Sequence, residues 1–370
     1  MNSSCAKSMK ALVLRSPQNL QFMNVPRPAA GPGQVIVKVH ECGICGSDVR
    51  YFYGENPWAK QTLGREVPNP PNIIFGHEFV GTVVEAHDVI DQRLVGKRVG
   101  VNTFITCGRC TYCRRGQENL CDHTTHLGHG QGWGQMDFYP GGMAEFCPAF
   151  ANQCYELPPQ VTDRQATFFD PLIASLHAVD VGRPAVLDKV VVLGAGPIGL
   201  LIAQLVKVYG ASQTFVTDLA EKNIQVARAV GVDHAINISD PGQNLHELVM
   251  AETNREGVNL IFNTIGTEES IVDSLKLLRK GGTLVLLATK DSEIRFPSLL
   301  LTGERTIRTS CNAMYSDFPR VIELVAKGMV KVDPLVTHNF ALVDGLKAFE
   351  VACNKAGSGA IKVIIECQKI

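Results

Sequence analysis

The sequence predicts an α/β protein of two domains, an irregular β-rich one and a doubly wound parallel sheet, and three observations carry that prediction. Up to about residue 169 the chain is a patchwork of short β-rich runs, such as Val35 to Val39 and Val80 to Glu85, cut by clusters of Gly and Pro. From about residue 190 the texture changes to strand, helix, strand, the alternation of a parallel sheet covered on both faces. The length of 370 residues is enough for two separate cores.

The first strand-like run starts near Met9 and Lys10, with Ala11 to Leu14 supplying its apolar content, and residues 1 to 8 read as a short leader. In the second half Val190 to Leu193 is an apolar strand, Leu200 to Tyr209 has helical spacing and stops at Gly210, and Thr214 to Thr217 is the next strand. Asn259 to Asn263 and Thr283 to Thr289 read as buried strands, with a helix between them that ends at Gly281 and Gly282. After about residue 311 a helix near Phe318 to Lys327 and mixed strands return the chain to the first domain. The expected limits are 1–169 with 311–370 for one domain and 170–310 for the other.

Thirty-five basic against thirty-six acidic residues leave no field that would hold nucleic acid or an anionic membrane, so a small molecule is the expected partner. No apolar run approaches the roughly 20 residues that span a bilayer. Twelve cysteines without a recognisable signal peptide suit a reducing cytoplasm.

Four of those cysteines fall as CxxCxxCxxxxxxxC: Cys107, Cys110, Cys113 and Cys121. The spacing wraps one short loop around a tetrahedral zinc, and four thiolates leave no open position, so the site is structural rather than catalytic. The alternative, disulfides in a secreted protein, lacks the signal sequence it would need. The strand Val190 to Leu193 runs into Gly194, Ala195, Gly196, Pro197, Ile198, Gly199, a GxGxxG that opens a helix. Gly194 permits the tight turn, Gly196 lets a pyrophosphate approach the backbone, and Gly199 lets helix and strand pack closely. Asp218, nineteen residues beyond Gly199 at the end of the next strand, can accept both ribose hydroxyls. It would face a 2′-phosphate with a like charge, a contact worth roughly 1–4 kcal/mol at about 4 Å, so NAD is the expected cofactor rather than NADP. Lys222 could moderate this, although a lysine on a surface helix is more often solvated.

Residues 42–48 read CGICGSD and residues 76–85 read GHEFVGTVVE. Together with the four-cysteine loop and GAGPIG, in that order, they resemble the zinc-dependent medium-chain dehydrogenases over essentially the whole chain after residue 8, and within them the polyol, butanediol and threonine dehydrogenase branch. The resemblance implies a GroES-like catalytic domain and a Rossmann NAD-binding domain, two zinc ions per chain, and a homodimer or homotetramer. It implies that Cys45 and His77 are ligands of a catalytic zinc, and that Glu78 either binds the metal directly or stands behind it. Cys42 lies outside the matching position and reads as a small buried residue. The third ligand position of the superfamily falls on Asp170, which either touches zinc or holds the zinc-bound water. One thiolate and one carboxylate neutralise Zn²⁺ and leave a water whose pKa can fall to about 7. Asp48 is then the partner that orients His77, its other reading being an ordinary helix cap.

On the same resemblance Ser47 accepts or relays the proton while hydride passes to the nicotinamide. Many relatives carry a histidine three residues after the serine; this chain has Arg50, which cannot give up its proton, so the relay runs through Ser47, the nicotinamide ribose and water, or through another group. Lys362 pairs with Glu78 or faces solvent. The expected activity is NAD-dependent oxidation of a polar secondary alcohol such as a polyol, sugar alcohol or vicinal diol. Sorbitol dehydrogenases tend to carry Arg near Asn312 and Glu near Asp170. Threonine dehydrogenases, the alternative that Asp170 favours, tend to carry His near Phe104. A noncatalytic nucleotide-binding member of the fold is the reading from another class.

Overall fold

The computed structural model describes residues 8–288 and 293–370. Residues 1–7 of the expected leader and Thr289, at the end of the last expected parallel strand, lie outside the described residues; Ser8 already belongs to the first strand, Ser8–Ser16. The chain divides into two compact units, one formed by the chain up to Asp170 with Met314–Ala326 and Val336–Ile370, the other by Pro171–Ala313 with Lys327–Leu335. The assignment of Lys327–Leu335 to the second unit differs from the sequence reading, which gave all of 311–370 to the first. The buried Gln204 side chain explains it, donating to Lys331 O at 3.0 Å and accepting from Lys331 N at 2.7 Å.

The first unit is built on a seven-stranded sheet in the order Cys154–Glu156, Arg98–Val101, Glu78–Ala86, Gln34–Ile44, Lys362–Glu366, Val336–Ala341, with Phe146–Phe150 also pairing Gln34–Ile44. The pairing of Gln34–Ile44 with Glu78–Ala86 shifts register twice, at Ile36/Val37 and at Val39/Glu41, and such bulges bend a sheet around its own core. That core takes Val35, Val37 and Val39 from one strand and Phe79 and Val83 from its neighbour, the period-2 alternation of a packed face.

The second unit holds a six-stranded, all-parallel sheet in the order His234–Asn237, Gln213–Asp218, Lys189–Leu193, Val258–Asn263, Leu278–Leu286, Thr306–Thr309. Reading outward from the first strand in each direction gives the doubly wound order, whose reversal point lies beside the C-terminal end of Lys189–Leu193. Val190, Val191 and Val192 are fully buried, as a strand covered on both faces requires. The glycine pair Gly281 and Gly282 does not end the preceding helix. That helix, Glu268–Leu277, stops because Leu278 is extended, and the glycines lie inside the strand, where Gly281 takes φ +73° and the register against Val258–Asn263 slips.

Candidate active site

The strand Gln34–Ile44 delivers Cys45 directly to the N-terminus of the short helix Gly46–Phe52. Asp48, on its first turn, accepts the Cys45 backbone N–H at 2.8 Å through Oδ2, which fixes the thiol-bearing residue against the helix. The other oxygen, Oδ1, lies 3.4 Å from His77 Nδ1 and 3.6 Å from His129 Nε2. His77 comes from the residue before the strand Glu78–Ala86, after a left-handed turn at Gly76 with φ +98°. Its Nε2 lies 3.4 Å from Ser47 Oγ and 4.0 Å from Asp170 Oδ2. Cys45, His77 and Glu78 each bring one donor atom within 4.8 Å of the other two, and Asp48, His77 and His129 do the same.

These groups shift one another's ionisation. Burial would raise Asp48, yet the His77 charge, with the His129 imidazole also close by, holds its carboxyl well below the usual range. Burial would lower His77, but Asp48 and Cys45 push it well above the ordinary imidazole value. Burial raises Asp170 to about 6 against the pull of His77. Glu78 is answered by Lys362: its Oε2 pairs with Lys362 Nζ, both side chains are almost fully buried, and the ammonium also lies 5.4 Å from the centre of the Phe168 ring. A Cβ on Gly43 would overlap Glu78 Oε2, so glycine there lets the carboxylate lie flat on the neighbouring strand.

Glu78 Oε1 is buried without a hydrogen-bond partner among the described residues, whereas His77 Nδ1 and Asp48 Oδ1 face each other at 3.4 Å. Buried polar atoms are rarely left so, and a thiol, an imidazole and a carboxylate converging there form the donor set of a divalent zinc. The second cluster fits on distance alone. The Sγ atoms of Cys110 and Cys113 are 3.5 Å apart, those of Cys121 and Cys107 3.6 Å, and those of Cys110 and Cys121 3.9 Å. A tetrahedron with Zn–S near 2.3 Å has edges of about 3.8 Å, whereas a disulfide is about 2 Å long. Backbone N–H groups of Cys107, Cys110, Cys113 and His123 point at these sulfurs at 3.3 to 3.5 Å, the environment of thiolates.

In the second unit Gly194 takes φ +97°, and a Cβ on Gly199 would overlap Gly194 O. Gly196 caps the helix Pro197–Val208 and has open space where its side chain would be, the room a diphosphate needs. Asp218 ends its strand beside this turn; Oδ2 accepts from Ala195 N at 2.8 Å and Asn223 Nδ2 at 3.1 Å, and Oδ1 from Ala220 N at 2.9 Å.

Two family models match the chain, the alcohol dehydrogenase GroES-like domain over residues 31–159 and the zinc-binding dehydrogenase over residues 197–327. The chain is 32% identical to the sorbitol dehydrogenase of Bos taurus over 360 residues, 96% of each chain. It belongs to the zinc-binding alcohol dehydrogenase family. It is also similar to the L-threonine 3-dehydrogenase of Salmonella typhi, with 29% identity over 350 residues, 94% of this chain and 97% of that one. Among solved structures, an alcohol dehydrogenase from E. coli CFT073 complexed with NADH aligns with a TM-score of 0.84 at 28% identity, and a zinc-binding dehydrogenase from Sinorhizobium meliloti 1021 bound to NADP aligns at 0.85 and 28%. Each alignment covers 97% of this chain and 99% of the other.

Around Ser47 this dehydrogenase brings groups that the sequence reading left unnamed. Arg50 is exposed and bound to Glu55 at 2.7 Å. Two histidines that the reading passed over, His126 and His129, join the cluster instead. His129 is sandwiched between Tyr51, 4.3 Å away, and His126, 4.5 Å away, and its Nε2 lies 3.4 Å from Ser47 Oγ. Burial and the His77 charge lower His129 to about 4, and burial with both neighbouring imidazoles lowers His126 well below its usual value. The only sequence signal was the run THLGHG, whose two histidines stand three apart among glycines that argue against a helix.

Proposed function

We propose that this enzyme oxidises a polar secondary alcohol, a polyol, sugar alcohol or vicinal diol, with NAD as hydride acceptor. The observation that carries the reading is the convergence of Cys45, His77 and Glu78, their donor atoms within 4.8 Å of one another, with Ser47 and Asp170 beside His77. Cys45, His77 and Glu78 would hold a catalytic zinc, with Asp170 as a further ligand or the anchor of a water. A zinc bound there supplies a Lewis acid that lowers the pKa of an alcohol oxygen. Asp48 fixes the His77 ring, and Lys362 holds Glu78 in register. Ser47 Oγ takes the substrate proton, and His129 Nε2, 3.4 Å away, is the next acceptor in the place that Arg50 leaves empty of relay chemistry. Asp218 accepts the ribose hydroxyls, and the amides opening Pro197–Val208 take the diphosphate.

Cys107, Cys110, Cys113 and Cys121 would hold a structural zinc. We extend the reading to a homodimer or homotetramer in the cytoplasm with no nucleic-acid or membrane partner. The near-zero formal charge of −1 supports the lack of a nucleic-acid partner, and among the described residues no helix is long and apolar enough to cross a membrane. Initial rates of NAD reduction across diols, polyols, cyclitols and amino alcohols, with light scattering for the oligomer, test the reading. An inert zinc-loaded enzyme across the whole panel would reject it.

A further inference from the structure

His126 takes no part in the reaction as set out above, yet its ring is firmly held. It ends the two-residue strand Thr125–His126, which pairs antiparallel with Phe104–Ile105 so that His126 stands opposite Phe104. Its backbone N–H donates to Gln131 O at 3.0 Å, and the next residue, Leu127, donates to Thr103 O at 3.1 Å. The side-chain Nδ1 lies 2.7 Å from Leu127 O. A carbonyl only accepts, so Nδ1 carries the proton and Nε2 of the neutral ring keeps its lone pair.

That Nε2 has no hydrogen-bond partner among the described residues, and the residue is only half-buried. The ring stacks on His129 at 17° and stands edge-on to His77, 5.5 Å between centres and 76° between planes. An acceptor with nothing to accept therefore stands one ring away from a proposed metal ligand.

We infer that His126 is a specificity-determining residue whose Nε2 accepts a hydrogen bond from a donor, hydroxyl or ammonium, on the carbon next to the reacting carbinol. The inference rests on the alcohol-oxidising reading above. A substrate without that donor leaves the acceptor desolvated and unpaired, which a site built for a donor penalises.

Two substitutions divide the ring's functions. His126→Asn keeps a donor for Leu127 O and removes the Nε2 acceptor; His126→Gln keeps an acceptor near Nε2 and removes the donor to Leu127. Zinc-loaded enzyme is assayed with butane-2,3-diol, 3-aminobutan-2-ol and butan-2-ol. The wild type should favour one of the two donor-bearing substrates, and which one tells hydroxyl from ammonium. His126→Asn should lower kcat/KM for the favoured substrate by roughly 3- to 10-fold, mainly through KM, and leave butan-2-ol unchanged, whereas His126→Gln should retain the preference. A His126→Asn enzyme like the wild type beside a damaged His126→Gln enzyme would assign the ring to holding Leu127 and overturn the inference. So would a wild type that turns over butan-2-ol as well as the diol, with the alcohol-oxidising reading left standing. A wild type inert towards all three and towards the wider panel of polyols and cyclitols would overturn both.

Discussion

Lys362→Met tests the buried pair behind the proposed catalytic centre. Lys362 and Glu78 have side-chain exposures of 2% and 1%, so neither charge has water to fall back on. Methionine nearly conserves the volume, which limits the packing loss to below about 1.5 kcal/mol. The larger loss is the uncompensated carboxylate, and removing one partner of a buried pair costs about 3–5 kcal/mol. Glu78 cannot swing clear, because it lies on the backbone at Gly43. The assay is urea unfolding followed by tryptophan fluorescence, since the two tryptophans of the chain, Trp58 and Trp133, both belong to the first unit. Zinc-loaded protein should lose less than chelated protein, because a cation at Cys45 and His77 also faces Glu78. The double variant Lys362→Met/Glu78→Gln should recover most of the loss, as neutralising both partners removes the stranded charge. The pH dependence has a definite sign. Burial opposes the lysine charge but Glu78 outweighs it and raises the lysine above its usual 10.5, so the stabilisation is complete below 10.5 and is lost as pH climbs through the raised value. A loss under about 1 kcal/mol, or a double variant no better than the single, would refute the reasoning.

Metal analysis should find two zinc ions per chain; Cys110→Ser should lose one and impair folding, while Cys45→Ser should stay folded, bind NAD and be almost inactive, as equilibrium dialysis and rates would show. Asp218→Ser should lower kcat/KM with NAD while that with NADP rises or holds, from a wild-type preference for NAD of roughly ten or more, about 1.4 kcal/mol; kinetics with both cofactors on one substrate decide it. Asp163, whose carboxyl is lowered chiefly by the hydrogen bond to His40 at 2.7 Å and also by Arg98, contributes stability that is present above the unfolded carboxyl value near 3.9 and lost as pH falls through the lowered one. Asp163→Asn should therefore flatten the acid limb of first-unit stability between about pH 5 and 2, and unchanged curvature in acid denaturation would contradict this.

What the sequence discloses follows how local the physics is. The cysteine loop, the glycine turn and the paired runs around Cys45 and His77 are legible because each is one short segment whose spacing matches one piece of chemistry. The parallel sheet is legible because its central strands carry buried apolar runs, Val190 to Leu193 and Leu260 to Phe262. His126 and His129 were not, because their meaning comes from a cross-strand pairing with Phe104 and from contact with Ser47, 82 residues away in the chain. Phe104 alone had suggested that the chain lacks an imidazole there, yet the neighbouring strand supplies one. Lys327–Leu335 was grouped with the wrong domain because Gln204 meets Lys331 across 127 residues. Gly281 and Gly282 were read as a helix stop because a glycine pair looks the same whether it ends a helix or bends a strand.

In the proposed role, the carboxylate of Asp218 would do more than choose a cofactor. The same Oδ2 that would meet the ribose also holds the Ala195 amide inside the glycine turn, and Oδ1 holds the Ala220 amide that starts the next segment. Adenosine recognition and diphosphate geometry would thus be fastened by a single side chain. A lineage, or an engineer, moving this enzyme to NADP by changing that residue alone would slacken the turn in the same step. The first substitution on that path should cost more with NAD, and gain less with NADP, than the lost charge alone would give, until a second one restores a partner for Ala195. The cofactor preference is therefore guarded by mechanics as well as by charge.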